Sequence, residues 1–295
     1  MTPEGWLCAH AVSGGNVLSW VNPEHPGYAY PEAAGLLVRW LAQRGLPVPS
    51  VLAENLRAQV EADGVGRNGF VYAFDTAVVL AGLEALDTDE DPRWTRARAR
   101  LARAPVVRPE APPRWSTVPG PHMLKLAVGV AARARRGWAT PMRQSLTAID
   151  VRQEADGRII TPPHPSTYVH AHAYATEGLL ALRSLGLEPP ASIDGAVAFL
   201  AALQADDGGL PAWSDGGPAR ADATAQAIRL FILHDRAGLA QPIARGLAFL
   251  DTLSDPHGVV RYEPGTADRN TWCTLFAAQA RAWAAGETAR VEDLL

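Results

Sequence analysis

Six apolar helical stretches recur at nearly constant spacing along the chain, and this repeat constrains the fold more than any other feature. A residue near the start of each stretch marks it, and the markers are Tyr30, Asp75, His122, His172, Asp222 and Trp272. Successive markers lie 45, 47, 50, 50 and 50 residues apart. A self-similar period of this length indicates a repeat architecture in which each unit is one supersecondary element.

Between the markers lies a second set of helices with a different pattern. Apolar residues three and four positions apart, with charges between them, occur in segments 48–62, 91–104, 139–151, 191–205 and 239–253. This pattern is typical of half-exposed helices, whereas the marker stretches are apolar on nearly all sides and should be buried.

A helix near residues 3–12 would complete a set of six outer helices around six inner ones. The sequence therefore predicts an all-α fold, an (α/α)6 barrel (toroid) of six helical hairpins with short strand-like connections. Residues 1–295 would form this single domain. An open superhelix of helix pairs is the alternative architecture.

The connections into the inner helices carry turn signals, and one of them resembles a known motif. QADDGGLPAW at 204–213 resembles the Q-x-x-DGG-aromatic turn of the terpenoid cyclase and protein prenyltransferase toroids, whose units have a similar length. The stretch 170–180 also resembles uncharacterised bacterial toroid proteins. The resemblance implies the α/α toroid, but the D-x-D-D acid motif of terpene cyclases is absent, and Asp206 and Asp207 lie in the turn instead.

The composition indicates which classes of partner and which cell compartment to expect. A formal net charge of −4 and a pI near 6.1 argue against nucleic acid as a partner. Two cysteines suit a reducing compartment, and there is neither a signal-peptide pattern nor an apolar run of about 18 residues. We therefore expect a cytoplasmic protein that has a small-molecule substrate and no membrane partner.

The chemistry is expected where the inner helices begin. All six inner helices of such a toroid run parallel, so that their N-termini, with free N–H groups and positive dipole ends, meet at one end of the barrel. This mouth would suit a polar or anionic ligand.

The fourth unit carries the richest set of polar side chains. His170, Tyr174 and Glu177 are spaced to share one helix stripe, and His172 lies beside it at the helix entry. Histidine titrates near neutrality, so His170 and His172 are the preferred proton carriers, with Tyr174 and Glu177 assisting. Alternatively, these groups only satisfy one another and the loop backbone.

A second catalytic carboxylate has two candidates, Asp222 and Glu32. Asp222 begins a stripe with Gln226 and Arg229, and it would serve as an N-cap, a catalytic group or both. Glu32 follows Pro31 in a first turn, where the helix dipole alone would favour it. The residues expected to bind substrate are Tyr30, Glu32, Asp75, Trp115, His122, Lys125, Asn270 and Trp272.

Lys125 is the only lysine among 27 basic residues, and it falls on an inner helix one turn after His122. A buried ammonium needs a carboxylate, a substrate anion or a lowered pKa. The alternative is a side chain that reaches the rim of the barrel.

No cofactor is predicted. A zinc site made of His170 and His172 with Asp222 or Cys273 is a less favoured alternative, since no C-x-x-C or H-E-x-x-H pattern supports it. The favoured function is general acid/base catalysis by an epimerase, isomerase, lyase or hydrolase on a small polar substrate, carbohydrate-like or anionic. A terpene-cyclase-like enzyme, which needs an apolar aromatic lining, and a non-catalytic ligand- or peptide-binding toroid are the alternatives.

Overall fold

The computed structural model describes residues 1–61, 64–67, 70–86, 91–101, 120–131, 144–146, 148–162 and 164–295. Its longer helices are α1 (Pro3–His10), α2 (Pro31–Gln43), α3 (Ser50–Gln59), α4 (Ala73–Leu86), α5 (Pro92–Leu101), α6 (Leu126–Ala131), α7 (Val169–Ser184), α8 (Ile193–Leu203), α9 (Ala221–Asp235), α10 (Ala240–Thr252) and α11 (Thr271–Ala284). The 3-10 helix Pro121–Lys125 leads into α6, and another spans Val291–Asp293.

The inner helices α2, α4, α6, α7, α9 and α11 form a closed ring. Each contacts the next, and α11 contacts α2. This confirms the all-α (α/α)6 barrel and excludes the open superhelix. Burial follows the sequence pattern, since every residue of α7 from 169 to 182 is buried, whereas α10 buries one stripe that includes Ile243 and Phe249.

The outer helices lie within the segments predicted for them, wherever the structure describes those segments. Helices α1, α3, α5, α8 and α10 pack outside the inner ring. The expected outer helix at 139–151 lies partly outside the described residues, and residues 144–146 within it are helical. None of the described helices combines the length and the apolar character needed to cross a membrane.

Short antiparallel strands connect the helices. They are β1 (Val12–Ser13), β2 (Asn16–Val17), β3 (Trp20–Val21), β4 (Val60–Glu61), β5 (Gly64–Arg67), β6 (Phe70–Val71), β7 (Leu210–Trp213), β8 (Gly216–Arg220) and β9 (Arg269–Asn270). Strand β3 pairs with β9, with Trp20 opposite Asn270, so the first and last units are joined by backbone hydrogen bonds as well as by helix packing.

Gly208 shows why the DGG turn needs glycine. Its φ of +91° lies in the left-handed region. A Cβ atom at this position would lie 2.1 Å from the carbonyl oxygen of Arg245 on α10. The turn therefore passes against an outer helix at a distance that no other residue type allows.

A repeated side-chain hydrogen bond fixes the rotation of four inner helices. A backbone N–H from the preceding turn donates to Thr76 Oγ1 (from Val65, 2.8 Å), Thr224 Oγ1 (from Leu210, 2.9 Å) and Thr274 Oγ1 (from Val260, 3.0 Å). In α7 the same bond runs from Ile159 to His172 Nδ1 at 3.1 Å. These four residues, which we call the anchor residues, occupy equivalent positions in their units.

The anchor residues determine which side chains face the barrel axis. Two positions along an α-helix correspond to a rotation of about 200°. The residues two positions before the anchors, Phe74, His170, Asp222 and Trp272, therefore point the other way, toward the axis. The structural marker of the fourth unit is thus His170, and the choice of His172 as that marker was wrong by half a helix turn.

Two further layers of side chains follow these positions along the axis. Tyr174 and Gln226 form the next layer and are buried, and Glu177, Arg229 and Gln279 lie a turn deeper. Arg229 donates to Glu177 Oε1 at 2.7 Å and to Gln279 Oε1 at 2.8 Å. The helix stripes inferred from sequence are therefore real, and each spans the barrel from its mouth to its interior.

A buried ion cluster made of Lys125, Glu177 and Arg229 occupies the deepest layer. Lys125 Nζ donates to Glu177 Oε2 and to the main-chain oxygen of Leu295, and burial lowers the pKa of Lys125 to about 8. Arg39 adds a further cation, since it donates to the main-chain oxygen of Glu292 at 2.5 Å. Residues 291–295 thus supply carbonyl groups to these cations and close this end of the barrel.

Removal of the carboxylate from this cluster should be strongly destabilising. In a Glu177→Ala variant, Lys125 and Arg229 would remain buried without the carboxylate side chain that pairs with both, and we expect the free energy of unfolding to fall by about 3–5 kcal/mol. Urea denaturation measures this change.

The control is Glu287→Ala, because Glu287 pairs with Arg44 where both side chains are partly exposed to solvent. That pair should contribute at most about 1 kcal/mol. Equal losses in the two variants would contradict a structural role for the ion cluster.

Candidate active site

A cavity of about 420 Å³ opens at the N-terminal end of the inner helices. Aromatic residues and carboxylates dominate its walls. The described residues that line it are Trp20, Tyr28, Tyr30, Glu32, Phe74, Asp75, His122, Tyr168, His170, Asp222, Tyr262, Asp268, Asn270 and Trp272. The convergence expected from the repeat is therefore observed, and residues from distant parts of the chain share one pocket.

His170 and Asp222 form the central pair of the cavity. They are the second residues of α7 and α9, and His170 Nδ1 lies 3.4 Å from Asp222 Oδ2. Desolvation by burial lowers the pKa of His170, and the negative charges of Asp222 and Glu177 oppose that shift. Asp222 Oδ1 also accepts a hydrogen bond from the Ala223 N–H at 2.8 Å. The N-cap residue of α9 is Arg220, so the expected N-cap role of Asp222 is wrong, and Asp222 lies in the first turn and lines the cavity.

Two tyrosines flank this pair. The hydroxyl groups of Tyr168 and Tyr262 lie 3.3 Å apart and both line the cavity. Burial, followed by the negative charge of Asp222, raises the pKa of both phenols. They therefore remain protonated and can donate hydrogen bonds to a bound molecule. Sequence reasoning missed them, although each stands in the short run that enters an inner helix.

Glu32 is held on the opposite side by neutral donors. The Tyr174 hydroxyl donates to Glu32 Oε1 at 3.2 Å, and the Trp272 indole N–H donates to the same oxygen at 3.1 Å. Tyr174 lies beneath the cavity and contacts it through Glu32 and through the ring of His170, with the centroids of the two rings 4.3 Å apart.

The remaining predicted binding residues take defined places in the cavity wall. Tyr30 packs edge-on against Trp272, with ring centroids 5.0 Å apart. Asn270 caps α11 by accepting the Cys273 N–H at 3.0 Å. Asp75 and His122 are buried in the wall. Desolvation, with a smaller contribution from His170, lowers the pKa of His122 to about 4, so this ring is neutral at pH 7.

Four of the predicted site residues that the structure describes do not line the cavity, and Tyr174, which lies beneath it, is one of them. His172 faces the outer layer, where Nδ1 accepts the Ile159 N–H and Nε2 donates to the Ala196 carbonyl at 3.0 Å. Lys125 and Glu177 belong to the ion cluster below. The reason is helical rotation for His172 and depth along the axis for Tyr174, Lys125 and Glu177. Trp115 lies outside the described residues.

Tyr28 also lines the cavity and stands at the start of the first marker stretch, two residues before Tyr30. Two other lining residues were not anticipated. Trp20 comes from the N-terminal connection, and Asp268, which accepts a hydrogen bond from Asn22 Nδ2 at 2.7 Å, comes from the connection before α11. The repeat could not identify them because they lie in loops of irregular length. Phe74 was detectable, since it occupies the position equivalent to His170.

Within the part of the chain that the structure describes, no three His, Cys, Asp or Glu side chains come together as metal ligands. The zinc set considered above is split because His172 turns outward, and Cys273 is buried with a pKa raised by desolvation.

Comparisons with known proteins identify the architecture. No family model matches this chain, and no curated protein matches its sequence. Among solved structures, the type II terpene cyclase MstE from Scytonema, in complex with merosterolic acid A, has a TM-score of 0.62 and 16% identity, covering 96% of this chain and 95% of the cyclase.

Two further similar structures show the range of activities on this fold. A glycosyl hydrolase family 88 protein from Bacteroides vulgatus has a TM-score of 0.60 and 12% identity, covering 95% of this chain and 99% of the hydrolase. The ent-copalyl diphosphate synthase from Streptomyces platensis has a TM-score of 0.57 and 23% identity over 89% of this chain, which spans 52% of the synthase. At these identities the similarity shows the fold alone.

The outward position of His172 leads to a prediction about acid stability. Burial lowers the pKa of His172 to about 4, whereas an unfolded histidine titrates near about 6.5. Between these values the unfolded chain binds the extra proton, so the free energy of unfolding falls as the pH falls, by up to about 3 kcal/mol for this residue.

A His172→Thr variant introduces the residue found at the other three anchor positions. We expect the variant to lose this contribution, so that its stability declines less between pH 7 and pH 4 than that of the wild type. Urea titrations at several pH values measure the two slopes, and identical slopes would contradict the assignment of His172 as a buried neutral anchor.

Proposed function

We propose that the protein, an α/α toroid, is an enzyme that performs general acid/base chemistry on a small polar substrate in this cavity. The observation that carries the proposal is the His170–Asp222 pair, buried within the aromatic-walled pocket and flanked by two phenolic donors. A buried titratable residue with a shifted pKa and a charged partner in a cleft is characteristic of catalytic sites.

The proposed proton acceptor is His170. Its lowered pKa leaves the imidazole neutral at pH 7, as a general base requires. When it takes a proton, the imidazolium gains the nearby Asp222 carboxylate as a counter-charge at a separation of 3.4 Å. The pair therefore favours the state in which the proton has left the substrate.

The proposed electrophilic partners are the hydroxyl groups of Tyr168 and Tyr262. Both phenols stay protonated beside Asp222, so they can stabilise an oxygen that gains negative charge as His170 removes a proton. Glu32, held by the Tyr174 and Trp272 donors, would bind substrate hydroxyl groups or act as the second carboxylate. These roles fit epimerisation, isomerisation, elimination or hydrolysis of a hydroxylated, carbohydrate-like compound.

Substitution of the central pair should remove catalysis without unfolding the protein. In His170→Gln and Asp222→Asn variants we expect turnover to fall roughly 100- to 10,000-fold, with the thermal midpoint changed little. The assay follows new product signals by proton NMR with a panel of glycosides, oligosaccharides and sugar acids.

The matched control is His234→Gln, which alters a histidine at the far end of α9. It should retain full turnover. Retained turnover in His170→Gln would contradict the proposed base, whereas substrate affinity with no turnover in the wild type would favour a binding protein.

The pH dependence of catalysis provides an independent test. Because the base must be unprotonated, kcat/KM should fall as the pH falls through the pKa of His170. The midpoint of this acid limb of the pH profile should lie below the usual histidine pKa of about 6.5, because burial lowers the pKa of His170. An acid limb above pH 7 would exclude His170 in its observed environment.

A terpene-cyclase-like activity is the second candidate, and the aromatic content of the cavity favours it. Seven of the fourteen described lining residues are aromatic, and aromatic faces stabilise positive charge. Incubation with linear isoprenoids and analysis for cyclic products by mass spectrometry separates the two candidates. If a cyclic product forms and no sugar is converted, the cyclase activity replaces acid/base chemistry on sugars as the proposed function.

A further inference from the structure

The charged side chains among the described lining residues of the cavity have one sign. Four of its described lining residues are carboxylates, Glu32, Asp75, Asp222 and Asp268, and none of the described lining residues is lysine or arginine. The nearby guanidinium of Arg220 forms a salt bridge with Glu263 at 2.9 Å and lies 4.1 Å from the centre of the Tyr262 ring. Lys125, one of the residues expected to bind substrate, lies in the ion cluster.

The two histidines do not reverse this sign at neutral pH. Burial lowers the pKa of His122 to about 4 and also lowers that of His170. Both rings are therefore neutral at pH 7 and contribute no positive charge to the pocket.

The positive ends of three helix dipoles interact with carboxylates of the protein itself. Glu32, Asp75 and Asp222 lie in the first turns of α2, α4 and α9, where the positive end of each helix favours negative charge. The N-termini that were expected to attract an anionic ligand face carboxylates of the chain itself.

The remaining walls are aromatic. Trp20, Tyr28, Tyr30 and Trp272 form a continuous row in which neighbouring ring centroids lie 5.0 to 5.6 Å apart. The electron-rich faces of such rings attract ammonium groups, and aromatic cages with acidic neighbours are a common solution for binding methylated amines.

From the carboxylates, the aromatic row and the absence of lysine and arginine among the described lining residues, we propose that the cavity selects a cationic ligand. The ligand is a small hydroxylated molecule that carries a protonated or quaternary amine. This inference rests on the proposed function, since it names the substrate class of the same site. The proposed substrate is then an amino sugar or an amino alcohol, in place of the anionic substrate that the sequence analysis left open.

Binding of three probes of equal shape tests the proposal. Choline carries a quaternary nitrogen, 3,3-dimethylbutan-1-ol has carbon at the same position, and 3,3-dimethylbutanoate carries a negative charge. In calorimetric titrations of the full chain at pH 7, we expect choline to bind at least about ten-fold more tightly than the neutral alcohol, with the anion weakest. The choline affinity should also fall as salt is added, because charge attraction is screened.

Two variants locate the source of this selectivity. Asp222→Asn preserves shape and removes one charge, so the preference for choline over the neutral alcohol should fall several-fold. Asp251→Asn removes a mostly exposed carboxylate on α10 and should leave the preference unchanged. A second cavity variant, Asp75→Asn, keeps the test valid if Asp222→Asn fails to fold.

The proposal is overturned if the neutral alcohol binds as tightly as choline, if the anion binds more tightly, or if choline does not bind at millimolar concentration. These outcomes are distinguishable from failure of the proposed enzyme activity. Turnover of neutral sugars that depends on His170, without selectivity for choline, would overturn the cation proposal alone. Selective choline binding without turnover of any amine or sugar would overturn the catalytic proposal alone.

Discussion

One hydrogen bond, repeated in four of the six inner helices, determines much of what this barrel presents at its mouth. A backbone N–H of the preceding connection donates to Thr76, His172, Thr224 or Thr274, and this bond ties one side of the inner helix to that connection. The opposite side of the helix must then face the axis. The positions of His170, Asp222 and Trp272 in the cavity follow from that rotation, as does the burial of the deeper stripe residues.

The barrel separates its buried charges into two regions of different character. The mouth contains carboxylates, neutral histidines and aromatic rings, whereas the interior contains Lys125, Arg229 and Arg39 around Glu177 and the main-chain carbonyls of residues 291–295. Tyr174 lies between the regions, with its hydroxyl on Glu32 and its ring centroid 5.3 Å from Lys125 Nζ. The ion cluster pairs its own charges through Glu177, so it supports the cavity floor without entering the cavity.

Periodicity made the fold and much of the site predictable. The inner helices need apolar residues on all sides, and that requirement is visible in sequence without any contact information. It placed Tyr30, Glu32, Asp75, His122, His170, Asp222, Asn270 and Trp272 at one end of a barrel, and all of them line the cavity.

The errors arose where periodicity gives no information. His170 and His172 differ by half a helix turn, and the outward ring is identified by its bonds to Ile159 and Ala196, which the sequence pattern does not reveal. Lys125 stands at the correct end of its helix by residue count but lies too deep. Tyr168, Tyr262 and Asp268 enter from connections, where neither spacing nor residue type indicates direction.

The central claim is that His170, and not His172, faces the ligand. The most direct measurement is nitrogen NMR of the histidine rings at pH 7 during titration with a cavity ligand such as choline. The resonances are assigned by comparison with two variants, one in which His170 is replaced and one in which His172 is replaced. The account predicts that the His170 ring nitrogens shift as ligand binds, whereas those of His172 stay fixed in one neutral, hydrogen-bonded tautomer. A His172 ring that responds to ligand while His170 stays unchanged would contradict it.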